Sequence, residues 1–313
     1  MRTFLVTGGA GFIGSHIAAA LVRRGDRVRV LDNLSTGNLA NLKEVGGQPE
    51  FFEADLLDTE ILREALQGVD CVFHQAALAS VPRSIKKPLD THAACATGTI
   101  NLLNESRKAE VRRVIYAASS SAYGDQINSA KRETDLPAPL SPYAAAKLAA
   151  EYYAQAFFHA YGLETVAIRY FNVFGPRQDP DSAYSAVIPR FITAMLNGKS
   201  PVVYGDGKQT RDFTYVANVV DGNLLAADAD HVAGRVFNIS NGRTTSLLKL
   251  IELLNEYLGT EIEPKFELPR SGDVRESMGD IAMARRYLAY EPRVEFEEGL
   301  RTSIDYYRSI VAV

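Results

Sequence analysis

The chain has 313 residues, 46% of them apolar, and a formal net charge of −4. That composition can bury a substantial core, and the length favours one large and one smaller domain. The acidic balance and the scattering of its lysines and arginines exclude a nucleic-acid-binding stripe. No apolar run approaches the roughly 20 residues that a membrane span needs.

The first strand is expected over 3–7, around Phe4-Leu5-Val6, directly after Met1-Arg2-Thr3, so no signal peptide is expected ahead of it. Gly8-Gly9-Ala10-Gly11-Phe12-Ile13-Gly14 follows and opens onto a helical pattern over 12–24. Strand, glycine turn and helix in that order are the context of a dinucleotide fingerprint. The glycines reverse the chain and let backbone N–H groups approach a pyrophosphate, which would sit on the helix N-terminus. A second strand over 28–31 ends at Asp32, about twenty residues past the glycines, where a carboxylate can accept both ribose hydroxyls of NAD and repel the extra phosphate of NADP. A third, over 50–54, leads to Asp55 and Leu56, with Asp55 either at the adenine or capping the helix over 59–67. A fourth, over 70–74, runs from Cys71 through His74 into Gln75-Ala76-Ala77, where small residues let the backbone approach a cofactor. His74 reads as hydrogen-bonded structure rather than as a catalytic base.

Further strands over 112–118 and 164–171 and helices over 89–109 and 142–161 complete an alternating pattern. Near-continuous Val, Ile, Leu and Phe in the strands fits a parallel sheet covered on both faces. The fold class expected is α/β, a doubly wound Rossmann-type sheet with a smaller C-terminal substrate domain. Residues 1–172 would bind the dinucleotide, with a later return of the chain near 213–239, and 173–313 would mainly bind substrate. Loops such as Gly175-Pro176-Arg177-Gln178-Asp179-Pro180 suggest closure over a polar ligand. Cys71 and Cys95, the only cysteines, indicate a reduced, cytoplasmic setting without disulfides. No paired His/Cys ligand spacing suggests a metal.

Tyr143-Ala144-Ala145-Ala146-Lys147 supplies the chemistry. A phenol ionises near pH 10, so it needs help to act as a base at neutrality. A lysine ammonium one helical turn on, with a nicotinamide cation, would favour the phenolate. Such a group can take a proton from a sugar hydroxyl while a cofactor takes the hydride. Ser119-Ser120-Ser121 upstream adds a hydroxyl donor.

On these residues, together with Asp32-Asn33-Leu34-Ser35-Thr36-Gly37, Arg169-Tyr170-Phe171-Asn172-Val173-Phe174-Gly175-Pro176 and Thr210-Arg211-Asp212-Phe213, the chain resembles the extended short-chain dehydrogenase/reductases. Within them it is similar to the UDP-hexose 4-epimerases, particularly those accepting N-acetylated sugars. The resemblance implies NAD as cofactor, a UDP-sugar as substrate and a homodimer. It implies Tyr143 as general base, Lys147 as its tuner and a ribose ligand, and Ser119 as the catalytic serine, with Ser120 or Ser121 able to share its contact. Gly8, Gly11, Phe12, Ile13, Gly14, Asp32, Asn33, Asp55, Leu56, Gln75, Ala76, Ala77 and Phe171 would join Tyr143 and Lys147 around the cofactor. Ser80, Ser121, Asn172, Val187, Tyr204, Arg211, Arg270, Asp273 and Ser277 would join Ser119 and Tyr143 around the UDP-sugar. The arginines would bind phosphate bidentately. Cys95 stands where many relatives carry Asn, so one polar contact near the cofactor would be missing or replaced by water.

The 4,6-dehydratases of this superfamily carry Asp-Glu directly after the catalytic serine or threonine; Ser120 and Ser121 stand there. Neither serine can act as an acid or base near neutrality, which favours epimerisation over dehydration or decarboxylation. Position 277 matches the family's gatekeeper, and Ser277 leaves space for a 2-acetamido group. Arg83, within Ser80-Val81-Pro82-Arg83-Ser84, leaves open a uronic-acid substrate. A reading from another class, a non-catalytic NAD-binding sensor or scaffold, is opposed by the intact Ser119, Tyr143 and Lys147.

Overall fold

The computed structural model describes residues 1–126, 130–180, 186–269 and 274–311. Seven strands form one parallel sheet: β1 (Thr3–Thr7), β2 (Arg27–Asp32), β3 (Glu50–Glu53), β4 (Cys71–His74), β5 (Arg113–Ser119), β6 (Glu164–Tyr170) and β7 (Arg235–Ile239). Their order across the sheet is β7-β6-β5-β4-β1-β2-β3. β1 pairs with β2 on one side and with β4 on the other, so Thr7 lies between Leu31 and His74. The strand order reverses between β1 and β4, and a ligand crevice is expected outside the carboxyl ends of the strands there.

Alternation along the strands builds two apolar layers. Phe4 and Val6 of β1 join Ile17, Val30, Phe73, Ile115 and Phe237 on one face. Leu5 joins Leu31, Leu62, Val72, Leu102 and Val114 on the other. Both faces are covered, which accounts for the unbroken apolar runs of the sequence.

β7 lies in the stretch 213–239 where a return of the chain is expected, and adds an edge beside β6 through the register Phe237–Ile168. Two features depart from the sequence-based outline. The helix expected over 89–109 is three pieces: Pro88–His92, a π-helical turn at Ala93–Thr97 and Gly98–Lys108. The Gly98 amide reaches back five residues to the Ala93 carbonyl, which is the hydrogen bond of a π-bulge, a feature frequent at functional sites. At the start of the helix Thr59–Ala65 it is Asp58, not Asp55, that caps, accepting the amides of Glu60 and Ile61.

After β6 a third apolar cluster forms around Phe174, Ile188, Phe191, Val203, Phe213, Leu250, Leu254, Leu300 and Ile304. It carries short strand pairs, among them Thr245–Ser246, Thr210–Arg211 and Glu276–Ser277 side by side. The loop 175–180 is tied to its surroundings by several hydrogen bonds. His16 Nε2 donates to the Pro176 carbonyl at 2.9 Å, Arg177 Nε to Glu44 at 2.9 Å, and the Tyr307 hydroxyl to the Gln178 carbonyl at 2.6 Å.

Candidate active site

The glycine turn closes by the Gly11 amide donating to the Gly8 carbonyl at 3.1 Å, and Gly11 is the N-cap of the helix Phe12–Arg23. A Cβ on Gly14 would lie 2.2 Å from that same Gly8 carbonyl, and one on Gly8, at φ +67°, would lie 2.6 Å from the Ala76 amide. The turn therefore presses against the start of the helix and against the segment after β4, and only glycine fits. Beyond the turn, Asp32 at the end of β2 accepts the amides of Ala10 at 3.0 Å and Leu34 at 2.8 Å. Burial raises its pKa, with those amides acting the other way. Asn33 Nδ2 donates to Asp55 at 2.6 Å, joining the ends of β2 and β3.

These groups face a cavity of about 490 Å³. Its lining brings together Gly8, Gly11, Phe12, Ile13, Gly14, Asp32, Asn33, Asp55, Leu56, Gln75, Ala76, Ala77, Tyr143 and Lys147, from segments up to 139 residues apart. Phe171 is not in that lining: its ring is fully buried, 6.1 Å from the Tyr123 ring, while its neighbour Tyr170 lines the cavity. Sequence reasoning missed Tyr306 and Ile310, which reach the cavity from the helix Phe296–Val311. It also missed Tyr170, whose hydroxyl donates to Gln75 Oε1 and Asn223 Oδ1, both at 3.0 Å.

Tyr143 stands in the first turn of the helix Pro142–Tyr161. Ser141 caps that helix by accepting the Ala144 amide, and Pro142 occupies the first turn without needing an N–H donor. The Tyr143 phenol stands near Ser119, at the end of β5. Ser119 Oγ is in turn 2.8 Å from Ser121 Oγ and accepts the Ser121 amide at 3.2 Å. Lys147 is 3% exposed, with Nζ 4.5 Å from the Tyr116 ring centroid. Burial raises the Tyr143 phenol above its ordinary value, with Ser119 opposing, and lowers Lys147 to about 8. The lowering of the phenol suggested by the Tyr-x-x-x-Lys spacing is not found in the protein alone, where burial raises it.

His74 does not face the cleft. It is buried between the hydroxyls of Thr7 and Thr99, and burial lowers it to about 3, so it is neutral. Cys95 lies in the π turn, and its carbonyl accepts the Thr99 hydroxyl at 2.6 Å.

A second cavity of about 210 Å³ lies farther along. Asn172, Val187, Tyr204 and Arg211 all line it, with Phe213 and Phe191. Ser277 pairs in register with Arg211, and its carbonyl accepts the Asp212 amide at 2.7 Å. The Asp212 carboxylate is buried and accepts the amides of Asn241, Gly242 and Gly279 at 2.8, 3.0 and 3.2 Å. Burial raises it to about 6 against those amides. Asp212 thereby fixes Arg211 and the strand that carries Ser277. Ser80 caps the helix Val81–Lys86 by accepting the Arg83 amide at 3.1 Å, a use of its hydroxyl that the sequence reading did not assign. Arg270 and Asp273 lie outside the described residues.

The model of the NAD dependent epimerase/dehydratase family matches residues 4–240. A UDP-glucose 4-epimerase of Mycolicibacterium smegmatis is 38% identical over 316 residues, covering 99% of this chain and 99% of its own length. A structure of UDP-N-acetylglucosamine 4-epimerase from Methanobrevibacter ruminantium M1, in complex with UDP-N-acetylmuramic acid, is similar at a TM-score of 0.94 and 40% identity, covering 99% of each chain. A structure of UDP-glucuronic acid 4-epimerase from Bacillus cereus, in complex with UDP-glucuronic acid and NAD, is similar at 0.93 and 32%, covering 99% of this chain and 100% of its own.

Proposed function

Because the chain belongs to the NAD-dependent epimerase/dehydratase family, we propose that it is an isomerase that inverts C4 of a UDP-hexose through a transient 4-keto sugar, with NAD as its resident cofactor. The observation that carries this reading is the meeting of Tyr143 and Lys147 with the glycine turn around one cleft, with Ser119 beside Tyr143.

The donor set fits NAD. A turn too tight for any Cβ at Gly8 and Gly14 opens onto a helix N-terminus, and the Asp32 carboxylate ends the next strand. Amides of the turn, with Phe12 and Ile13, would hold the pyrophosphate, while Asp32 would take ribose hydroxyls and disfavour a 2′-phosphate. Bound NAD supplies a hydride acceptor and a positive charge. Tyr143 would take the proton of the sugar O4, with Ser119 hydrogen-bonded to the same oxygen. Lys147 would hold a cofactor ribose hydroxyl and keep a cation beside the phenol. Asn172, Val187, Tyr204 and Arg211 would bind the uridine diphosphate from the second cavity, joined by Arg270 and Asp273. Residues 1–172, with the chain's return through 213–239, would thus serve the cofactor and 173–313 mainly the sugar nucleotide.

Ser120 and Ser121 offer no acid for expelling a hydroxyl, which supports epimerisation within a family that also contains dehydratases. Ser277 supports acceptance of UDP-N-acetylglucosamine and UDP-N-acetylgalactosamine beside the glucose and galactose forms. A homodimer is supported by apolar side chains left open on adjoining helices: Ile85 and Leu89 are 62% and 81% exposed, and Tyr152 and Tyr153 are 50% and 45%. Two buried free thiols suit a cytoplasmic setting. The experiment is a product screen of purified protein, without added cofactor, on UDP-galactose, UDP-N-acetylgalactosamine and UDP-galacturonate. C4 epimers of the first two are expected. Turnover of the uronate alone would move the substrate to a uronic acid, and release of carbon dioxide or net NADH would overturn epimerisation.

A further inference from the structure

We propose that Glu151, ion-paired to Arg169, is a positioning residue whose buried carboxylate holds the Lys147 ammonium in its charged form beneath Tyr143. The inference rests on the roles given above to Tyr143 and Lys147 and adds what sustains them.

Tyr143, Lys147 and Glu151 recur every four residues on the helix Pro142–Tyr161, which stacks them along one face. Glu151 is 1% exposed and receives the Arg169 fork in full: Nε donates to Oε2 at 2.9 Å and Nη2 to Oε1 at 2.6 Å. Arg169 comes from β6, and its Cζ lies 4.6 Å from the Tyr123 ring centroid. Such a pair is a poor source of stability, since a well-packed apolar replacement is often neutral or better. The charge therefore calls for another account, and the next charged group along the face is Lys147.

Lys147 has few other partners for its charge. Tyr116 of β5 offers its ring, Cys95 of the π turn a thiol, His74 of β4 a neutral imidazole, and Tyr143 a phenol that burial keeps protonated. Arg169 of β6 is a like charge that shares Glu151 and offsets part of its field. Of the two groups that raise Lys147, Cys95 and Glu151, Glu151 is the carboxylate. Burial pulls Lys147 down, and Cys95 and Glu151 oppose that fall. A charged Lys147 is what favours phenolate at Tyr143.

The test removes both charges together, with Glu151→Gln and Arg169→Met in one protein, so that no lone charge is left buried; Glu151→Gln alone and Glu151→Asp accompany it. Lys147 is titrated in the holoenzyme through the 13Cε shift of labelled lysine, its signal identified by loss in Lys147→Arg. The pH dependence of kcat is followed alongside. The Lys147 midpoint should fall by about one pH unit in Glu151→Gln, in the same direction in the double variant, and stay near wild type in Glu151→Asp. The alkaline limb of kcat should move with it. A folded double variant with an unchanged midpoint overturns the proposal, and it decides the question even where Glu151→Gln fails to fold. A wild type without epimerase turnover would count against the function proposed above, while the Lys147 titration would still decide the part played by Glu151.

Discussion

His74 Nε2 lies 2.9 Å from the Thr99 hydroxyl, and that hydroxyl gives its one proton to the Cys95 carbonyl at 2.6 Å. Nε2 must therefore be the donor and Nδ1 the acceptor, which receives the Thr7 hydroxyl at 2.7 Å. Thr7 Oγ1 in turn accepts the Ala76 amide at 3.4 Å. One directed chain thus runs from the segment pressed against Gly8 to the π turn beside Lys147.

This arrangement predicts an acid-sensitive stability. The folded pKa of His74, about 3, lies below the ordinary value of 6.5, so the unfolded chain takes up the proton first. The contribution is complete above pH 6.5 and is lost as pH falls toward 3, at up to about 1.4 kcal/mol per pH unit. Urea unfolding of wild type and His74→Asn, at matched cofactor content, should show their stability gap shrinking steadily below pH 6.5. A gap independent of pH would mean that His74 is not buried neutral.

Gly14→Ala should disrupt the cofactor cleft. The added methyl would stand 2.2 Å from the Gly8 carbonyl, so the turn must open. Wild-type protein purified without added nucleotide should release NAD(H) on denaturation, because a cycle that restores NAD never requires its exchange. The variant should carry at least about tenfold less and lose roughly 1–3 kcal/mol of stability. Undiminished NAD content would mean that the turn does not hold the pyrophosphate.

How much of this was legible in the sequence depends on range. The glycine turn, Asp32 and the strand ends are written in short local patterns, and the parallel sheet delivers them to one cleft. The π turn at Ala93–Thr97 is not: it depends on Thr99 reaching the Cys95 carbonyl and on Gly98 packing against Leu56, contacts that periodicity does not encode. Tyr306 and Ile310 sit in an amphipathic helix whose apolar stripe reads as core, and only the folded chain shows two of its residues lining the cavity. The sequence reading offers Asp55 as a cap, and geometry gives the cap to Asp58 instead.

Tyr143→Phe should lower kcat by a factor on the order of 10²–10⁴ while leaving NAD and UDP binding largely intact. The substitution removes only the hydroxyl and leaves the ring packing in place. Rates on UDP-galactose, with UDP affinity measured in parallel, check it. Wild-type turnover would move the base elsewhere, with Ser119 acting through water as the next choice.

Ser277→Tyr should selectively impair turnover of acetamido sugars. Ser277 pairs in register with Arg211, so the two side chains share a face, and Arg211 lines the second cavity. A phenol at 277 would compete for the space beside that cavity, and exclusion by bulk is a repulsive route to specificity. Forcing extra volume into a packed site costs roughly 1–3 kcal/mol, or about 5–150-fold in rate. The comparison is kcat/KM on UDP-N-acetylgalactosamine against UDP-galactose for both proteins. A selective loss on the first places Ser277 near C2 of the sugar. An equal loss on both would mean that the side chain disturbs Arg211 instead, and a wild type that already refuses acetamido sugars would confine the enzyme to plain hexoses.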